Sequence, residues 1–253
     1  MRSAYIISGI FSLLLTLDLG VEAAVESRIE KKFNSGVVLM QNGKTDEAIS
    51  VFKDVLREDP DYVNARISLG AAYQKKGQLE QAVREYWQAI FSQPNNTVAR
   101  FNLAQVFVEK GHPDSALAVF REVIAIQPAY ADAHLEVGKI LLKKGQLDSA
   151  IASFRRAVDA KADHEQARSY LGEALTQKGK MDEAIYHYRE AIKHKPDFPD
   201  AHFKLAYALI EKKEYEEAIK EFKEFLKYSA RLQGYYQWRT AATNNIKALG
   251  GNP

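Results

Sequence analysis

Residues 63–96 read VNARISLGAAYQKKGQLEQAVREYWQAIFSQPNN, and two helices can be read from these 34 letters. Ala65, Leu69, Ala72 and Tyr73 recur at helical intervals and mark one apolar face. Lys75 and Lys76 set cations near the carbonyl end, and Gly77 can take positive φ, so the first helix stops there. Leu79, Ala82, Val83, Tyr86, Ala89 and Ile90 mark a second helix, which Pro94 prevents from continuing. Small residues such as Gly70 and Ala82 let the two helices approach closely, while Tyr86 and Ile90 fill the space toward a neighbouring pair. One helical pair cannot bury both of its faces, so neighbours must stack.

The neighbours are present. Gly43, Gly77, Gly111, Gly145 and Gly179 each lie 34 residues after the last, which divides residues 29–232 into six blocks: 29–62, 63–96, 97–130, 131–164, 165–198 and 199–232. Ala48, Ala82, Ala116, Ala150, Ala184 and Ala218 hold one position in every block. Four residues further on stands a ring each time: Phe52, Tyr86, Phe120, Phe154, Tyr188 and Phe222. A small residue (Gly36, Gly70, Ala104, Gly138, Gly172, Ala206) holds another position, and most blocks close on Pro60, Pro94, Pro128 or Pro196. The expected fold is all-α, an α-solenoid of stacked helix-turn-helix pairs. Past residue 232, Tyr235, Trp238, Ala242, Ile246 and Leu249 form one apolar stripe on a helix expected within 233–249, which would cap the exposed end of the sixth block.

Leu69, Gly70, Tyr73, Ala82, Tyr86 and Pro94 reproduce the signature of the tetratricopeptide repeat (TPR) family, which the chain resembles over 204 of its 253 residues. The resemblance implies a right-handed superhelix whose inner face is lined by first helices and binds partners. Ser35, Ala162, Lys213 and Ala230 depart from the family pattern, mostly in the terminal blocks, where end caps are irregular.

Composition limits the function. The chain is 46% hydrophobic and 27% charged, which suits a folded chain and neither a disordered nor a multispan membrane protein. Lys plus Arg total 35 against 33 Asp plus Glu, a net charge of +2 without the excess that nucleic-acid binding shows. There is no cysteine, hence no disulfide, thiol nucleophile, thiolate metal site or lipidated cysteine. Residues 1–24 begin with Met1 and Arg2, run apolar from Ala4 to Leu17 and end in Ala23 and Ala24, the layout of a signal peptide. The protein is therefore expected to be exported, periplasmic or secreted, with residues 4–19 as a membrane anchor in the alternative that the segment stays attached.

No catalytic motif is present: no HExxH, no GxxxxGK[ST], no GxGxxG and no GxSxG. His187 and His194 lie seven apart on one second helix and could share a face as a two-ligand site; the competing reading is solvated surface histidines. The expectation is a non-enzymatic scaffold without cofactor or metal, binding a protein or peptide partner, with a non-catalytic subunit of an enzyme complex and a membrane-anchored envelope assembly factor as alternatives.

By the resemblance, the groove is lined by Phe33, Ile67, Phe101, Asn102, Gln105, Val108, Leu135, Lys139, Tyr170, Phe203 and Tyr207. The competing reading has these side chains simply packing between first helices. The two-carboxylate clamp of chaperone-binding members is missing, since Phe33, Val37, Ile67, Ala71, Phe101 and Gln105 hold its opening positions. A second row, Lys32, Arg66, Arg100, His134, Arg168 and His202, reads either as a basic stripe for an acidic partner or as stems packed on the adjoining repeat.

Overall fold

The computed structural model describes residues 25–253, which form thirteen α-helices and, among the described residues, no strand. The signal-peptide and anchor readings of residues 1–24 lie outside the described residues. No described helix is long and apolar enough to cross a membrane.

The chain divides into two compact units, one up to Val119 and one from Phe120 onward. The first contains α1 (25–41), α2 (Thr45–Glu58), α3 (Val63–Lys75), α4 (Leu79–Ser92) and α5 (Thr97–Glu109). The boundary falls inside α6 (Pro113–Ile126). The second unit contains α7 (Ala131–Lys143), α8 (Leu147–Ala160), α9 (Glu165–Gln177), α10 (Met181–His194), α11 (Pro199–Glu211), α12 (Tyr215–Ser229) and α13 (Tyr236–Ala248). Within the first unit α3 packs on both α2 and α4, and α4 on α5. Within the second, each helix from α7 to α13 packs on the next. First helices also touch one another directly, α3 with α5, α7 with α9 and α9 with α11, so they form a continuous layer within each unit.

The helix ends follow from local chemistry. At the end of α3 the Gln78 amide donates to the Tyr73 carbonyl at 2.9 Å and the Gly77 amide to Gln74 at 2.9 Å, the bond pair that closes a helix through a left-handed residue. Gly77 takes φ 71°, and the corresponding residue of the sixth block, Lys213, is forced to φ 65° with a side chain attached. Asn96 caps α5 by accepting from the Ala99 amide at 2.9 Å. The last helix starts at Tyr236, inside the 233–249 window, because Gly234 at φ 86° turns the chain first.

The repeated ring is the centre of each pair. Phe52, Tyr86, Phe120, Phe154 and Phe222 are fully buried and Tyr188 nearly so, and the six alanines four residues before them are also fully buried. A methyl group added at Gly36 or Gly172 would stand 2.6 Å from the ring of Phe52 or Tyr188, and at Gly70 2.7 Å from Tyr86. The glycines are therefore dictated by ring thickness between two helices.

Candidate functional site

The first-helix layer is the surface of interest, and each unit carries its own stretch of it. In the first unit Phe33 lies on α1, Ile67 on α3, and Phe101, Asn102, Gln105 and Val108 on α5, all half-buried. Phe33 is held by its own neighbours, with ring centroids 5.8 Å from Phe52 and 5.3 Å from Tyr62. Burial raises the Tyr86 hydroxyl well above the ordinary tyrosine range; that group donates to Gln74 Oε1 at 3.1 Å and is also hydrogen-bonded to Asn102. Part of the Asn102 amide is thus committed to the preceding repeat. Gln74 in turn donates to Glu109 at 2.5 Å.

In the second unit the layer is more elaborate. Leu135 on α7 is only 3% exposed, so it is a core residue and offers no surface to a partner. One turn further on, Lys139 is half-buried and donates to Glu136 at 2.7 Å. The Tyr170 ring on α9 stacks on Phe154 with centroids 5.7 Å apart, and two ammonium groups lie over it, Lys204 at 4.8 Å and Lys139 at 5.8 Å. Such a cation is attracted by the ring face. Lys204 also pairs with Glu173 at 2.5 Å, so α7, α9 and α11 are linked by one charged and aromatic row. On α11, Phe203 sits at the centre of a ring cluster, with centroids 4.9 Å from Tyr207, 4.9 Å from Phe225 and 4.7 Å from Trp238. Tyr207 is exposed, and its hydroxyl accepts from Asn245 Nδ2 at 3.0 Å.

These rings border a hollow of about 430 Å³ whose walls come from α9, α10, α11 and α13. Tyr188, Phe203, Tyr207 and Trp238 make it largely apolar, and Glu173, Lys204 and Glu211 stand at it. Its volume falls within the range of ligand sites. Trp238 belongs by sequence pattern to a capping stripe. Its contribution to a hollow on α11 comes from its stacking on Phe203, for which spacing carries no signal.

Four members of the basic row have loop carbonyls as partners, and Lys32 pairs with Glu58. Arg66 donates to the Pro60 carbonyl at 2.8 and 3.2 Å, Arg168 to the Ala162 carbonyl at 2.9 Å, and His134 and His202 bond the Pro128 and Pro196 carbonyls at 2.8 Å each. All four reach the carbonyl six residues upstream, and Arg239 does the same work for the cap by donating to Ser229 at 2.7 Å and Leu232 at 3.1 Å. The four side chains on the first helices satisfy carbonyls of the loops just before them, and Arg239 adds a bond at the end of α12. His202 additionally pairs with Glu221 at 2.6 Å; burial pulls its pKa down, yet the bonds to Glu221 and Pro196 leave it above the ordinary histidine value.

The lysines that close first helices also have destinations. Lys110 pairs with Glu80 at 3.1 Å and Lys212 with Asp182 at 2.8 Å, while Lys76 and Lys178 pair with Asp46 and Asp148. Each partner lies 30 residues upstream, in the first turn of the preceding second helix. Consecutive repeats are thereby linked within each unit.

No three metal-ligating side chains come together among the described residues. His187 is half-buried and His194 exposed. A surface feature that the sequence reading passed over lies on α4. Phe91 is 87% and Trp87 48% exposed, where the equivalent positions of other repeats carry Arg57, Ala125, Asp159, Lys193 and Lys227, and Lys53, Arg121, Arg155, Arg189 and Lys223. Aligning the six blocks position by position would have found it.

Models of the tetratricopeptide repeat match residues 39–97, 101–165 and 199–231, and a further TPR repeat model matches residues 172–211. No curated protein sequence matches the chain. Among solved structures, TTC0263, a thermophilic TPR protein of Thermus thermophilus, is 26% identical, with 72% of this chain and 99% of that one covered at a TM-score of 0.57. YrrB, described as a TPR protein with an unusual peptide-binding site, is 20% identical over 76% of this chain and 97% of its own, at a TM-score of 0.58. The pilF protein of Pseudomonas aeruginosa shares the fold at a TM-score of 0.74 with 14% identity, covering 86% of this chain and 99% of its own.

Proposed function

We propose that this chain, which belongs to the tetratricopeptide repeat family, is an interaction scaffold that takes a peptide segment of a partner protein on its first-helix layer, and that it acts outside the cytoplasm. The observation that carries the peptide reading is the row on the second unit: Lys139, Tyr170, Lys204 and Glu173 run across three helices and lead to the hollow beside Phe203 and Tyr207. An extended peptide needs such alternation of apolar footholds and polar groups, because its backbone amides must be paired while its side chains are buried. The peptide-binding description of YrrB, a protein of the same fold, supports the same reading. Export is supported by the apolar run and small residues of residues 1–24. The family is one of generally non-catalytic scaffolds, which supports a non-enzymatic reading.

The test is selection of binding peptides with the full chain, followed by titration of a selected peptide against Tyr170→Ala and Tyr207→Ala. Removing a ring that a peptide covers costs on the order of 1–2 kcal/mol, roughly ten-fold in affinity. Selected peptides that bind both variants as tightly as the original chain would reject this surface. The mass of the protein isolated from its own host tests export, beginning near Ala24 if the leader is removed.

A further inference from the structure

We infer that the hollow between α9, α11 and α13 is a specificity pocket for one large apolar side chain of the bound peptide, and that it favours a peptide with a basic residue close to that side chain. This rests on the peptide-binding reading above and narrows it to a chemical class of ligand.

The apolar half of the argument is the wall. Phe203, Tyr207 and Trp238 face a hollow of about 430 Å³ with Tyr188 and Ala208 behind them. Ala208 is 2% exposed and is the small residue that leaves the floor open, and Trp238 keeps 37% of its surface and Tyr207 39%. Water in a hollow lined this way has few partners, so an apolar side chain that displaces it is favoured.

The polar half is found by elimination among the charged groups, since Gln177, exposed at the hollow, carries no charge. Thr176 donates to the Gly172 carbonyl at 2.9 Å and meets the Tyr188 hydroxyl at 3.3 Å. Asn245 holds the Tyr207 hydroxyl at 3.0 Å. Lys204 is engaged by Glu173 at 2.5 Å and by the Tyr170 face at 4.8 Å, so the one cation at the hollow is already neutralised. Glu211, exposed at the end of α11, is the carboxylate at the hollow with no ion-pair partner among the described residues. A ligand cation finds Glu211 available. A ligand carboxylate meets like charge there and would have to break the Lys204–Glu173 pair to gain anything.

The chain has two tryptophans, Trp87 and Trp238, so the full chain carrying Trp87→Phe reports on the hollow through Trp238 emission alone. The probes are labelled synthetic peptides on a Gly-Ser background: one with Phe followed closely by Lys, one with Phe followed by Glu, and one without Phe. Label anisotropy reports binding anywhere on the chain. The expected result is a saturable Trp238 shift with the Phe-Lys peptide, about three-fold weaker binding of the Phe-Glu peptide, and reversal of that preference in Glu211→Lys. Equal titrations for the Lys and Glu peptides, or a Trp238 shift as large without Phe, would overturn the inference. Anisotropy that rises while Trp238 emission stays still would overturn the pocket and leave binding on the first-helix layer standing. No anisotropy change with any peptide would overturn both.

Discussion

His187 shows how much one ring can depend on its surroundings. Burial pushes its pKa down to about 4, helped by Arg168 and Arg155 and opposed by Glu183 and Glu190, and its buried Nδ1 has no hydrogen-bond partner. The folded state therefore holds the ring neutral, whereas an unfolded chain protonates it near pH 6.5. Acidification from about 6.5 to about 4 should cost stability on the order of 1–3 kcal/mol, and the loss levels off below that range. His202 runs the other way: its raised pKa contributes stability below its unfolded value that is lost as pH rises through the folded one. Denaturant unfolding of His187→Gln as a function of pH is the check. The variant should lose the acid-side slope between about 6.5 and 4 that the original chain shows, and an unchanged slope would place its origin elsewhere.

At the scale of helices, the distance between partners within a pair is set by a ring lying on a glycine. Gly172→Ala would put a methyl 2.6 Å from the Tyr188 ring, so the ring must move or α9 and α10 must separate. Ala206 holds the same position in the sixth block and shares a core cluster with Phe222, which shows that the layer can accept a methyl once its ring is placed for it. The expected cost of Gly172→Ala is therefore that of overpacking, about 1–3 kcal/mol, measured by denaturant unfolding. Leu135 belongs to the same scale. It has the spacing of a groove residue, yet it is 3% exposed, whereas Tyr170 and Phe203 on the following first helices keep part of their surface. Spacing puts a side chain on a helix face; what packs against that face decides whether it is open.

For the molecule as a whole, the packing of each unit among the described residues runs between helices adjacent in the chain and between neighbouring first helices. The free end is closed by α13, whose Ala242 and Ile246 are fully buried against Ala206, Phe222 and Phe225. Ile246→Ala should cost about 2–5 kcal/mol and expose the Phe203 and Phe225 rings to an apolar dye before the rest of the chain unfolds. A single cooperative transition with no early dye binding would count against local opening at that end.

The 34-residue period, with its small residue, ring and proline, was enough to determine an all-α stack of helical pairs, because each of those positions is a local demand: a turn that needs φ > 0, a close approach, a helix stop. The destinations of long polar side chains were not legible in the same way. Arg66, His134, Arg168 and His202 repeat as a row of charge, and only the folded loops bring a bare carbonyl to each of them. The hollow beside Phe203 was decided later still, by Trp238 of α13 coming to stack on Phe203 of α11. It joins side chains from four helices that are separate in the sequence, and a one-dimensional pattern does not encode the distances among them.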